Sequence, residues 1–337
     1  MTRLPSTPAA EAPSPTPTAL RTTRSARWLR RVGLLATAAS LLFLAFALRR
    51  NADSVPGVGW SLAIVAASVA AVVACAAAMT LSATAWRLLL RGGGFRVSEL
   101  TAVNVVGRSQ IAKYLPGNFL SYVGRVALAR EYGIPLRASA STMFLETILI
   151  VAVAGTIGAA GHVRELEVLV DVVSTPSLIL LAVAAAGLIA VLALAIILPA
   201  IRSRLRPFVA FLTVTNLVQA ASLYTIGQLL LGGSTWLLLD VIWGAPPDVG
   251  PAEVISAATL AWCAGFFTPG APAGIGVREA VFVALLGPSI GHGVAVGAAF
   301  AQRVAATAAD LIFFVVASAI YRWHPAPANP PTPAPPG

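Results

Sequence analysis

Charged side chains are scarce in this sequence. Asp, Glu, Lys and Arg together make up 11% of its 337 residues, against roughly 25% in an ordinary soluble domain. Hydrophobic residues make up 58%. So few charges cannot cover a water-exposed surface, which excludes a soluble globular protein. The composition predicts an all-α polytopic membrane protein.

Cysteine and histidine are also rare, which excludes several kinds of site. The two cysteines, Cys75 and Cys263, stand far apart in apolar runs, so neither a disulfide framework nor a CxxC metal motif is possible. The three histidines are scattered, and we expect no metal site and no cofactor. The sequence also lacks GxSxG, HExxH and Asp-rich metal motifs. We therefore do not expect an enzyme, with a general base at Glu146 as the alternative.

Lysine is nearly absent among 23 basic residues, and the formal net charge is +10. Such a charge could mark a nucleic-acid binder. The arginines, however, stand at the ends of apolar runs, where they orient a membrane protein and contact lipid headgroups. We therefore expect membrane lipids with anionic headgroups as partners and no nucleic acid.

The apolar runs predict six membrane spans. They cover residues 32–48, 60–90, 138–160, 177–198, 208–231 and 293–321, each long enough to cross a bilayer. Gly232-Gly233 is a predicted break before residues 234–243. For the first run, a signal peptide with an A-x-A cleavage site at residues 45–47 is the alternative interpretation.

Arginines and acidic residues alternate between the ends of these runs. Arg91, Arg137 and Arg204 mark one side, while Glu167 and Asp248 mark the other. By the positive-inside rule, the multi-pass chain lies in the cytoplasmic membrane with both termini in the cytoplasm. We divide it into a disordered basic tail (1–31), a transmembrane domain (32–321) and a disordered Pro-rich tail (322–337).

Two stretches interrupt this pattern with Pro-Gly pairs. Residues 108–135 read RSQIAKYLPGNFLSYVGRVALAREYGIP, and residues 267–286 read FTPGAPAGIGVREAVFVALL. In each, an arginine follows the proline by nine positions: Arg125 after Pro116, and Arg278 after Pro269. Such breaks end helices and let the backbone turn, and paired breaks in two halves point to a transporter's binding site. We predict two re-entrant helical hairpins, which three intervening spans orient oppositely as an inverted repeat.

Charges near these breaks predict an anion site. The positive ones are Arg108, Lys113, Arg125, Arg278 and Arg303, and the negative ones are Glu146, Glu279 and Asp310. The positive excess suits a phosphate, and Glu146 needs a partner at membrane depth. Three structural alternatives stay open. Arg108, Lys113 and Arg125 snorkel to the headgroups near the hairpin's ends, Arg303 pairs with Asp310, or Arg278 pairs with Glu279.

The same stretches carry a family resemblance. KYLPGNFLSYVGRVALAREYGIP at 113–135, Glu146, and TPGAPAGIGVREAVFVALL at 268–286 resemble the membrane region of lysylphosphatidylglycerol synthases, the flippase-like domain family. The resemblance spans roughly residues 32–321. It implies a domain that carries aminoacylated or otherwise modified lipids between leaflets. The positions that it implies for the site are Lys113, Pro116, Gly117, Gly124, Arg125, Glu146, Pro269, Gly270, Gly274, Gly276, Arg278 and Glu279, with Arg108, Arg303 and Asp310 as secondary candidates.

Two functions from different classes follow from this reading. Bifunctional members of the family continue into a soluble aminoacyl-transferase domain, which does not follow here before Gly337, so we do not expect lipid synthesis. The first function is a flippase for a phospholipid or a polyprenyl-linked lipid. The second is a non-transporting scaffold or accessory subunit that binds an anionic lipid and recruits an envelope-biosynthesis enzyme through its tails.

Overall fold

The computed structural model describes residues 59–114, 120–162, 213–268 and 272–326, with four isolated positions before residue 59. All regular secondary structure in these ranges is helical. Its α-helices are α1 (Leu62–Gly92), α2 (Glu99–Gln110), α3 (Leu120–Glu131), α4 (Leu136–His162), α5 (Val214–Trp243), α6 (Pro251–Phe267), α7 (Val277–Ile290) and α8 (His292–Trp323). The predicted spans at 32–48 and 177–198, both Pro-Gly pairs of the two stretches, and the tails up to residue 31 and from residue 327 lie outside the described residues.

Four of the described helices, α1, α4, α5 and α8, are long and apolar enough to cross a membrane. α1, α4 and α8 coincide with the predicted spans at 60–90, 138–160 and 293–321, and α5 overlaps the predicted span at 208–231. The serine before α1 shows why that helix begins where it does, since Ser61 Oγ accepts a hydrogen bond from Ile64 N at 3.2 Å. Such a cap satisfies one of the free N–H groups of the first turn. The all-α membrane fold is therefore confirmed.

The predicted break at Gly232-Gly233 is wrong, because α5 runs through both glycines to Trp243. A Cβ on Gly232 would lie 2.8 Å from Cα of Ile255 in α6, whereas a Cβ on Gly233 would meet nothing within 4 Å. Gly232 therefore lets the α5 and α6 backbones approach closely, as small residues do between membrane helices. The pair marks a helix contact rather than a turn.

Both interrupted stretches form broken helix pairs whose tips meet. We call the 3-10 turn Ile111–Tyr114, which follows α2, the first tip, and the 3-10 turn Pro272–Gly274, between α6 and α7, the second tip. The two tips contact each other. Beyond the second tip, Gly276 begins α7 with φ of 85°, a conformation that favours glycine.

Helix α8 packs against most of the elements around the tips. It contacts α1, α2, α5, α7 and the first tip. Close approach to α2 depends on Gly107, where a Cβ would lie 2.6 Å from Ala317 Cβ. On the other side, buried Leu239, Leu286 and Ala298 join α5, α7 and α8 in one apolar cluster. This packing holds one face of α8 toward both tips.

Candidate functional site

A cavity of about 240 Å³ lies among α1, α5, α6, α7, α8 and the first tip. A single water needs only about 10–15 Å³, so this space can hold a polar group of a larger ligand. Five charged side chains line it: Lys113, Arg278, Glu279, Arg303 and Asp310. The sequence stretches that carry the Pro-Gly pairs supply three of them, and α8 supplies Arg303 and Asp310.

The first tip is attached to α8 through Asp310. Lys113 Nζ lies 2.6 Å from Asp310 Oδ2, and the Tyr114 hydroxyl donates to the same oxygen at 2.6 Å. Asp310 is 4% exposed, so this carboxylate is desolvated and depends on these two donors. Lys113 is thereby neutralised by an acid that sequence reasoning had assigned to Arg303.

The second tip is attached to α8 through Arg303. Its Nε donates to Glu279 Oε1 at 2.6 Å, and its Nη1 donates to the carbonyl oxygen of Ala273 at 3.3 Å. The other carboxylate oxygen of Glu279 accepts from Gly276 N at 2.7 Å, which completes a cap at the start of α7. One arginine therefore holds both the second tip and α7.

The two ion pairs that the sequence suggested, Arg303 with Asp310 and Arg278 with Glu279, are both wrong. Arg303 and Asp310 do share a face of α8, but they are separated by about 10 Å along its axis. Each therefore meets a different tip. Glu279 turns back toward the start of its own helix, where Arg303 reaches it.

Arg278 makes no ion pair among the described residues. Its Nε is buried without a hydrogen-bond partner there, and its Cζ lies 5.7 Å from the centre of the Trp262 ring. The side chain passes between two glycines, since a Cβ on Gly274 would lie 2.8 Å from Arg278 Nε and one on Gly265 would collide with the arginine stem. With Lys113 and Arg303 paired, Arg278 leaves the charged lining of the cavity with an excess of one positive charge.

Arg125 and Glu146 form a separate buried pair beside this cavity. Arg125 Nη1 lies 2.5 Å from Glu146 Oε2, which confirms the expectation that Glu146 has a partner. The guanidinium carbon lies 5.8 Å and 6.0 Å from the ring centres of Trp86 and Tyr122, within cation–π range. Ser82, which lines the cavity, donates to Glu146 Oε1 at 3.4 Å. The pair therefore touches the cavity wall through Ser82 and does not line the cavity itself.

Other predicted positions stand farther from the cavity or outside the described ranges. Arg108 stacks over the Tyr321 ring at 3.9 Å and lies 3.8 Å from Glu131 Oε2, away from the cavity lining. Gly124 faces Ser109 of α2. The Pro-Gly positions Pro116, Gly117, Pro269 and Gly270 lie outside the described residues.

Sequence reasoning missed two polar side chains on α5. Tyr224 and Gln228 line the cavity and are 2% and 3% exposed. The Tyr224 hydroxyl and the Gln228 Nε2 have no hydrogen-bond partner among the described residues. The available signal was a tyrosine and a glutamine one helical turn apart in a predicted membrane span.

Comparison with known families agrees with the resemblance drawn from the two motifs. The family model described as "Lysylphosphatidylglycerol synthase TM region" matches residues 29–313. This range includes all five charged residues of the cavity. No curated protein and no solved structure matches the chain.

Proposed function

We propose that this protein binds an anionic lipid headgroup between the two tips. The premise is that the chain belongs to the family of the lysylphosphatidylglycerol synthase TM region. We further propose that it passes this headgroup across the cytoplasmic membrane. Membership of the family makes it a membrane protein related to lipid handling. The ligand and the transport step are the proposal.

The uncompensated charge of Arg278 carries this proposal. A central arginine or lysine costs about 2.5–3.5 kcal/mol even on mild membrane-insertion scales. Lys113 and Arg303 offset that cost through Asp310 and Glu279, while Arg278 lines the cavity and pairs with no acid of the described part of the chain. Phosphate is the abundant anion of membrane lipids, and the guanidinium fork can bind two of its oxygens at once.

The lengths of the broken helices favour re-entrant hairpins. Helices α2 and α7 have 12 and 14 residues, or about 18 and 21 Å at 1.5 Å per residue. A hydrocarbon core is about 30 Å thick, so neither helix is long enough to cross it. Tips that end inside the membrane would place the cavity at the depth where a transported headgroup has to pass.

A lipid-binding experiment on Arg278 tests the site. We expect Arg278→Gln to weaken binding of a phosphate-bearing lipid about tenfold to a hundredfold, as for a lost hydrogen bond to a charged group. Arg278→Lys keeps the charge and loses the planar guanidinium, so its loss of lipid affinity should be intermediate. Arg91→Gln, at the exposed end of α1, is the matched control and should bind normally. Unchanged binding by Arg278→Gln would refute the site.

A vesicle assay separates transport from binding. Reconstituted protein should move a labelled anionic phospholipid between leaflets faster than Arg278→Gln does. If the wild-type protein binds the lipid but moves it between leaflets no faster than in empty vesicles, the flippase is rejected and the scaffold that recruits an envelope enzyme is favoured. The lipid-binding experiment and the vesicle assay both use the full chain.

A further inference from the structure

The α5 wall of the cavity carries two polar groups that the anion site leaves unexplained. The Tyr224 hydroxyl and Gln228 Nε2 have no partner among the described residues, although both side chains are almost completely buried. Their positions differ by four, so they lie on the same face of α5. Both line the cavity that also contains Arg278.

Such groups are costly unless a ligand or water completes them. A buried polar group without a hydrogen bond costs roughly 1–3 kcal/mol, and most buried polar groups in native proteins are paired. Phe and Leu would pack in the same places without that cost. Two uncompensated groups on one cavity wall therefore mark a place where a ligand or water can supply their partners.

We infer that Tyr224 and Gln228 bind a neutral, hydroxyl-bearing group attached to the phosphate held by Arg278. This inference rests on the proposed function and specifies its substrate class. A hydroxyl group both donates and accepts, so it can satisfy a phenol and an amide together. The class includes a glycerol phosphodiester of a phospholipid and a sugar phosphodiester of a polyprenyl lipid.

The charges of the cavity disfavour a headgroup that carries an ammonium. Its two acids, Glu279 and Asp310, are already bound to Arg303 and Lys113. No third acid lines the cavity among the described residues. An ammonium would therefore meet Arg278 without a carboxylate of its own, whereas a neutral polyhydroxyl group meets the amide and the phenol.

The test compares phosphodiester lipids whose headgroup carries hydroxyls with lipids whose headgroup carries none. One pair is phosphatidylglycerol and phosphatidylmethanol, and the other is a polyprenyl hexosyl phosphate and the corresponding methyl phosphodiester. Lipid titration in detergent, followed by native mass spectrometry, gives each Kd. We expect wild-type protein to prefer the hydroxyl-bearing lipid of at least one pair, and the pair that shows the preference identifies its source.

Variants of α5 assign that preference to the two side chains. Tyr224→Phe and Gln228→Leu should each weaken the hydroxyl-bearing lipid about threefold to tenfold, as for one neutral hydrogen bond, and leave the methyl lipid unchanged. Both variants remove an unpaired buried polar group, so their Tm should equal or exceed that of the wild type. Ser222→Ala is the control, because Ser222 is exposed on α5 and does not line the cavity.

Arg278→Gln in the same titrations separates the two claims. If it leaves every Kd unchanged, the proposed anion site is refuted. If it weakens all four lipids while Tyr224→Phe and Gln228→Leu keep the wild-type ratios, the anion site stands and the hydroxyl subsite is refuted. Equal binding of both members of each pair by wild-type protein also overturns the subsite.

Discussion

Breaking the buried pair between Arg125 and Glu146 should destabilise the protein more than removing the pair entirely. Arg125 is 7% and Glu146 is 5% exposed, so Arg125→Met or Glu146→Leu alone leaves an uncompensated buried charge. That costs about 3–5 kcal/mol, whereas replacing both partners by apolar residues is often close to neutral. The double variant should therefore be more stable than either single variant.

Thermal unfolding in detergent measures this difference. For domains of 150–250 residues, 1 kcal/mol shifts Tm by roughly 2–4 °C, so each single variant should lose about 6 °C or more and the double variant much less. A thiol-reactive dye reports unfolding through buried Cys75. A double variant as unstable as the worse single variant would refute the reasoning, as would single variants with the wild-type Tm.

Two further predictions concern packing and orientation. Gly232→Leu should collide with Ile255 and lower stability by about 1–3 kcal/mol, while Gly233→Ala, which meets nothing, should be neutral or stabilising; equal Tm values for the two variants would contradict the contact. In a background without native thiols, an impermeant thiol reagent should label Asp248→Cys from outside and Arg91→Cys only after permeabilisation. The reverse pattern would overturn the orientation.

Local patterns in the sequence predicted the helices well. Apolar length placed α1, α4 and α8 within two residues of their observed bounds, because spanning a bilayer depends on the composition of one continuous segment. It located α5 as well but missed its C-terminal end, since α5 continues past residue 231 to Trp243. The stretches that carry the two Pro-Gly pairs do contain short helices, α2, α3 and α7, while the pairs themselves lie outside the described residues. The glycines at 232–233 were misread since a glycine pair is compatible both with a turn and with a close helix contact.

The charge pairing could not be predicted in the same way. Sequence spacing favoured Arg303 with Asp310, yet each bonds a residue more than twenty positions away in another element. Which partner an ion meets depends on how helices pack, and no local pattern contains that information. The same limit hid the position of Gln228 on the cavity wall, where its Nε2 has no partner in the described part of the chain.

Both tips are attached to α8, and this helix fixes the distance between the two points of attachment. Arg303 and Asp310 are seven residues apart, so their anchor points are fixed at about 10 Å by the rise of a helix. That spacing resists compression far better than a contact between loops, because every intervening turn is held by backbone hydrogen bonds. The separation of the two anchor points is therefore set by the hydrogen-bonded backbone of one helix and not by the contact between the tips.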